Sequence, residues 1–205
     1  LNFNQAEEKA QRDKYLRICQ EQLQRLSGLV EQILSMSMER RRTFRLHPEE
    51  FAIRDILETL IEQHKLKAES SVHISVDIEP EDLSVLADRT HFSNIISNLI
   101  DNATKYSKEK INIRISTLED NHYIYIKVYD EGIGISKSEQ KSVFNRFERA
   151  AEHEKNGNKT RKGFGIGLNY VFQVIHAHGG KISLKSEKDK WTEFTIALPK
   201  VSDKQ

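Results

Sequence analysis

Residues 98–106 read N-L-I-D-N-A-T-K-Y, and they close a run in which Phe92, Ile95, Ile96, Leu99, Ile100 and Ala103 recur at i, i+3, i+4, i+7, i+8 and i+11. That spacing is one apolar face of a helix, and it predicts that face for the core. Asn94, Asn98, Asp101, Asn102 and Lys105 recur with the same spacing on the opposite side, so amides and an ammonium point the same way. Asn competes for backbone hydrogen bonds and is a modest helix former, so two of them one turn apart need a reason. One reason is a polar surface tolerated at some cost. The other is chemistry: an amide oxygen is a hard, uncharged ligand suited to Mg²⁺, which takes few protein oxygens when phosphates supply the rest. Lys105, one turn further on, would be a point charge for the same phosphates. The helix alone leaves both readings open.

Composition narrows the class. A chain of 205 residues can bury a real core and allows one domain with an appendage, or two small ones. Its 32 Lys and Arg against 31 Asp and Glu leave a net charge of +1, so nothing global argues for nucleic acid or an anionic membrane surface. The single cysteine, Cys19, excludes an internal disulfide and fits a reducing compartment. No run of 18 or more apolar residues, no signal peptide and no Cys/His zinc spacing is present. The first residue is Leu1 rather than Met, which suggests a piece of something longer.

Residues 1 to about 13 lack apolar periodicity. From there Leu16, Cys19, Leu23, Leu26, Val30, Ile33 and Ser37 alternate steps of three and four, a heptad seam that expects a partner helix. Arg40, Arg41 and Arg42 suit the C-terminal end of that helix, where cations complement the dipole. Pro48 with Glu49 and Glu50 predicts a second helix start, running from Phe51 to about Ala68. Strands are expected at Val72–Ile78 and Ser84–Ala87, and Asp88 is placed to N-cap the central helix. Ile111–Thr117 and Tyr123–Tyr129 read as an antiparallel hairpin.

Immediately after that hairpin comes Asp130-Glu131-Gly132-Ile133-Gly134-Ile135, where the glycines let the backbone turn and let a ligand approach. By itself this is an ordinary Asx turn. A short helix is expected from Lys137 to Phe147, then a polar segment from Glu152 to Lys162, either surface loop or lid. Gly163-Phe164-Gly165-Ile166-Gly167-Leu168 opens an apolar helix through about His178, and glycines at a helix start expose N–H groups suited to an anion. No apolar strand precedes them and no Gly-Lys-Ser/Thr follows, which excludes a Rossmann fingerprint and a P-loop. Gly179-Gly180 ends the helix, and Lys181–Ser186 with Trp191–Leu198 predict a closing hairpin.

Each motif is weak alone, but their order is not. N-x-x-x-N-A-x-K-Y, then D-x-G-x-G-I, V-F-x-R-F, a polar segment and G-x-G-x-G-L together resemble the nucleotide-binding domain of sensor histidine kinases, within the GHKL superfamily. The resemblance covers about residues 14 to 199, including Leu23–Leu34, which is similar to the second helix of the family's dimerisation domain. It implies an α+β two-layer sandwich, the Bergerat ATP-binding fold. A mixed, mostly antiparallel sheet would be covered on one face by helices and preceded by a long helical arm. Residues 1–43 would be the partial dimerisation helix and 44–205 the catalytic domain.

Carried over residue by residue, the resemblance implies that Asn102 ligates Mg²⁺ and that Asn98 lies beside metal and phosphates. Lys105 would contact a phosphate, Tyr106 would pack on adenine, and Asp130 would accept from the adenine amino group. Gly132, Gly134 and Ile135 would bring the backbone close to the base. Gly163, Gly165, Gly167 and Leu168 would wrap the phosphates, with Lys159, Arg161 and Lys162 adding positive potential. Arg149, after Phe144 and Phe147, is the residue expected to reach the γ-phosphate, ahead of Arg146. ATP and Mg²⁺ are the implied cofactors. The implied partners are a response regulator receiver domain and a second copy in the full-length protein, with no nucleic acid. Membrane attachment would come only through upstream segments, which places the chain in the cytoplasm.

Two departures matter. None of the eight histidines has the context of the family's phosphoacceptor, H-E-[LI]-[RK]-x-P, so the acceptor is expected on another segment. The glycine motif expected between the last two strands is replaced by Lys188-Asp189-Lys190-Trp191, which bears on the rim of the adenine pocket. Three activities compete: histidine kinase, transfer-inactive nucleotide-binding module, and GHKL-type ATPase. The ATP-hydrolysing relatives carry a Glu general base where this chain has Asn98, and an amide has no basic lone pair with which to activate water.

Overall fold

The computed structural model describes Arg12, Tyr15 and residues 45–67, 72–107, 110–145 and 167–200. The chain divides into two compact units, Leu1–Arg42 and Thr43–Gln205. The heptad seam from Leu16 to Ser37, the arginines that follow it and the polar segment from Glu152 to Lys162 lie outside the described residues.

In the second unit the order is β1 (Pro48–Ala52), α1 (Ile53–Lys67), β2 (Val72–Ile78), β3 (Ser84–Asp88), α2 (Arg89–Lys105), β4 (Ile111–Glu119), β5 (Tyr123–Asp130), α3 (Gly167–Ala177), β6 (Lys181–Glu187) and β7 (Trp191–Pro199). Five strands form a sheet in the order β2-β4-β5-β7-β6; β1 and β3 form a separate antiparallel pair. Only the β2–β4 pairing is parallel, so the sheet is mixed and mostly antiparallel. Period-two alternation puts Ile113 and Ile115 of β4, Ile124, Ile126 and Val128 of β5, and Phe194, Ile196 and Leu198 of β7 on one buried face. The six apolar residues of α2 are all buried in the same cluster, with Val171, Val174 and Ile175 of α3 and Leu57 and Leu60 of α1. Side chains of this size stabilise by about 1.5–3 kcal/mol each when fully buried. Among the described residues no helix is long and apolar enough to cross a membrane.

The start of α2 is a junction. Asp88 caps the helix by accepting from the His91 N–H at 3.0 Å, and its other oxygen accepts from the His47 N–H at 3.0 Å. Its own N–H donates to His178 Nε2 at 2.9 Å, while His178 Nδ1 lies 2.8 Å from the Val174 carbonyl. His178 therefore carries its proton on Nδ1 and ties the end of α3 to the start of α2, more than an ordinary helix-end residue does. Immediately after His178, Gly179 at φ +72° closes α3 with a left-handed turn.

Two sequence expectations fail. Pro48 does not open a helix: Pro48–Ala52 is a strand paired with Ser84–Asp88, and α1 begins only at Ile53. Pairing sends Phe51 into the core opposite Val85, its ring centroid 5.3 Å from that of Phe92, and proline is tolerated at a strand's first position. Lys137–Phe147 is not a helix over its described part. A single 3-10 turn spans Glu139–Lys141, with Ser142 N–H bonding Glu139 O and Asn145 N–H bonding Ser142 O. Ser136, Ser138 and Ser142 compete for local hydrogen bonds there, as hydroxyl side chains do against a helix.

Candidate functional site

The buried stripe of β5 ends in a carboxylate. Asp130 follows Ile124, Ile126 and Val128 on the inward face, and across the ladder it faces Ile113 on one side and Thr192 on the other. The apolar core thus finishes at this end in an acid and a hydroxyl. Asp130 is 5% exposed. Burial pushes its carboxyl up to about 6, against the opposing pull of the Gly132 N–H, which donates to Oδ1 at 2.9 Å. Oδ2 has no hydrogen-bond partner among the described residues. A buried polar atom without a partner is costly, which is a reason to expect a donor from outside.

That donor has room to enter. A cavity of about 760 Å³, its open mouth included, is lined by Asn102, Ala103 and Tyr106 of α2, by Asp130, Ile133, Gly134 and Ile135, by Glu139, Ser142 and Val143, by Leu168, and by Thr192 and Phe194. A mostly apolar slot with an acid at its base suits a flat aromatic ligand carrying an amino group.

The glycine loop is held tightly. A Cβ on Gly132 would meet Asp130 Oδ1 at 2.5 Å and the Tyr106 carbonyl at 2.6 Å. Gly134 sits at φ +62°, and a Cβ there would lie 2.0 Å from the Glu187 carbonyl. Behind it stands the turn that replaces the expected third glycine motif: Asp189 takes the positive φ, 64°, and its N–H donates to Ile133 O at 2.6 Å. The substituted turn therefore supports the rim rather than opening it.

On the other side of the cavity, α3 begins at Gly167, and a Cβ there would meet Asn98 Oδ1 at 2.6 Å. The Asn98 amide NH₂ donates to the Asn94 carbonyl at 2.8 Å, so its oxygen is the end turned toward the N-terminus of α3. The positive end of that helix dipole is a natural place for an anion. Lys105 Nζ rests 5.0 Å from the Tyr106 ring centroid. The polar face of α2 is divided: the Asn94 side chain bonds Tyr170, and Asp101 lies 3.6 Å from His64 Nδ1. Among the described residues no three His, Cys, Asp or Glu side chains group as metal ligands. A hard cation here would be held by the Asn102 amide oxygen and by its own ligand's phosphates, the sparse arrangement that Mg²⁺ accepts.

Of the residues singled out in the sequence, Asn102, Tyr106, Asp130, Gly134, Ile135 and Leu168 line the one cavity. Gly132 backs Asp130, Asn98 meets Gly167, and Lys105 lies on Tyr106. Arg149, Gly163 and Gly165 fall outside the described residues, as do Arg146, Lys159, Arg161 and Lys162. Sequence reading missed Thr192, Phe194, Ile133, Glu139, Ser142 and Val143. The alternation Thr192, Phe194, Ile196, Leu198 put Thr192 on an inward face, but that it lies beside Asp130 depends on β5 pairing with β7, a contact no local pattern shows.

Residues 87–202 match the family model described as histidine kinase-, DNA gyrase B-, and HSP90-like ATPase. The sensor protein RprX of Bacteroides fragilis is 36% identical over 185 residues, which are 89% of this chain and 35% of RprX. The sensor histidine kinase WalK of Bacillus subtilis is 31% identical over 190 residues, 91% of this chain and 30% of WalK. Among solved structures, the Acinetobacter baumannii histidine kinase AdeS superposes with a TM-score of 0.69 at 25% identity, over 89% of this chain and 82% of that one. The histidine kinase ThkA, in complex with the response regulator protein TrrA, gives 0.71 at 25% identity over 94% of this chain and 52% of that one. The chain spans about a third of the length of the curated relatives it matches.

Proposed function

Since the chain belongs to the histidine kinase-, DNA gyrase B- and HSP90-like ATPase family, in its sensor histidine kinase branch, we propose that its cavity binds ATP for transfer of the γ-phosphoryl group to a histidine on a separate segment. The observation that carries this is Asp130, a buried acid with one oxygen unpartnered among the described residues, facing a slot that shares a helix with Asn98, Asn102 and Lys105. Asp130 accepts from the base amino group, Tyr106 packs on the base, and Asn102 offers its amide oxygen to Mg²⁺. Mg²⁺ held there would supply neutralisation of developing phosphate charge. Lys105 adds a point charge, and Arg149 would reach the γ-phosphate from outside the described residues. Asn98 cannot take a proton from water, so the phosphoryl group waits for a better nucleophile, an imidazole nitrogen, with positioning supplying most of the catalysis.

The acceptor histidine lies on another segment, and a second copy and the receiver domain that takes the phosphate onward are partners. ThkA is known in complex with a response regulator, which supports the same class of partner here. Its need for ATP places this domain in the cytoplasm. Mixing this chain with Mg²⁺, γ-labelled ATP and a separate polypeptide bearing an acceptor-histidine helix tests the proposal. Label should move to that histidine and not to this chain. Binding without transfer would leave a nucleotide-sensing module, and steady phosphate release without an acceptor would indicate an ATPase.

A further inference from the structure

The loop that carries Gly134 is held by side chains that do not touch the cavity. Ile135 N–H donates to Ser186 Oγ at 2.8 Å, and Ser186 Oγ donates its proton to the Trp191 carbonyl at 2.7 Å. Gln140 Nε2 donates twice, to the Ile135 carbonyl at 2.8 Å and to the Ser186 carbonyl at 2.9 Å. Ile133 is fixed likewise, its N–H bonding the Tyr106 carbonyl at 3.0 Å and its carbonyl receiving the Asp189 N–H. Both residues flanking Gly134 thus have their main-chain groups satisfied, whereas no hydrogen bond among the described residues ends on Gly134 itself. Ser186 also lies 3.3 Å from the hydroxyl of Thr192, the cavity neighbour of Asp130.

We propose that Gln140 and Ser186 are positioning residues for the base of the bound nucleotide: they brace the Ile133–Ile135 loop on β6 before a ligand arrives, so that the base meets Asp130 in one orientation. This rests on the reading of the cavity as a nucleotide site. A three-residue loop that had to order on binding would charge its lost entropy to the ligand, and the brace removes that cost. The amide at 140 is what the test exploits. One nitrogen must supply two N–H groups to carbonyls from different elements, and Glu has the same shape with no donor and a charge repelled by both carbonyls.

Calorimetric titrations of the full chain with Mg-ATP and with Mg-ITP, which carries a carbonyl in place of the base amino group, separate positioning from plain stability. A residue that only stabilised the fold would weaken both nucleotides equally and leave their ratio alone. Q140E and S186A should each weaken ATP about tenfold and reduce the preference for ATP over ITP by a similar factor, as expected for loss of one well-placed hydrogen bond to the base. S186T, which keeps the hydroxyl, should restore the preference. An unchanged ATP-to-ITP ratio in both Q140E and S186A overturns the brace while leaving the site intact. Failure of the unaltered chain to bind ATP overturns the nucleotide reading, and the brace with it.

Discussion

Asp130 sits where an ionised carboxylate is expensive. Its folded-state value near 6 lies above the ordinary 3.8, so the folded protein holds the proton more tightly than the unfolded chain. The stability this group contributes as a neutral acid is fully present below about pH 4 and is lost as pH rises through 6. Above that, burial of the charge costs on the order of 3 kcal/mol. Replacing it by Asn keeps an oxygen for the Gly132 N–H and removes the charge. Asp130→Asn should therefore melt several degrees higher than the unaltered chain at pH 8 and at nearly the same temperature at pH 4, while ATP binding at pH 8 falls by about tenfold or more. A melting temperature that drops at pH 8 would show that the buried charge is compensated. Gly134 is the other residue with no freedom. At φ +62° with the Glu187 carbonyl 2.0 Å from any Cβ, Gly134→Ala should destabilise by about 2 kcal/mol or more, read in a denaturant titration. The motif D-x-G-x-G was visible in the sequence, but what makes Asp130 special was not. Its burial comes from Ile113 and Thr192 on flanking strands, 17 residues before it and 62 after.

At the scale of elements, α2 was the most legible part of the molecule, because periodicity, cap and terminus agree: the six apolar positions from Phe92 to Ala103 are buried and Asp88 caps as its residue type suggests. Burial alone would raise the Asp88 carboxyl, but the N–H groups of His91 and His47 outweigh it and hold it below the usual range. Its sign is opposite to that of Asp130: the stabilisation is fully present above the ordinary carboxylate value and is lost as pH falls from there through the lowered folded-state value. Asp88→Ala should cost about 1–2 kcal/mol at neutral pH in chemical unfolding, and that deficit should shrink below pH 4. The first strand was illegible for the converse reason. Pro-Glu-Glu is a good helix start locally, and only the partner strand Ser84–Asp88, more than thirty residues away, turns it into β1. The contact of α3 with α2 bears on function. Gly167→Ala pushes a methyl group against the Asn98 amide, a side chain that can swing aside. The fold should survive with its melting temperature within a few degrees, while Mg-dependent ATP binding weakens about threefold to tenfold, as a displaced polar contact would cause. Equal affinity in Gly167→Ala would show that Asn98 has no part in holding the phosphates.

The Thr43–Gln205 unit is a helical layer laid on a sheet whose buried face ends in polar groups, so one end of the core is also the floor of a pocket. The α+β class followed from the resemblance that the ordered motifs carry, while helix and strand periods placed the individual elements. The sheet order β2-β4-β5-β7-β6 did not, since β5 beside β7 and β2 parallel to β4 are long-range pairings. Residues gathered on α2 were readable together because a helix fixes its own geometry. Thr192 and the wall formed by Glu139, Ser142 and Val143 were not, because they reach the cavity from chain segments distant in sequence from α2. The account stands on Asn102 and Asp130 serving the two ends of one ligand. Calorimetry with ATP in the presence and absence of Mg²⁺, on the unaltered chain and on Asn102→Ala, tests it most directly. The account predicts saturable binding that Mg²⁺ strengthens, and an Asn102→Ala chain that folds normally, still binds ATP weakly and has lost the response to the metal. The same Mg²⁺ enhancement in both proteins, or no ATP binding in either, would contradict it.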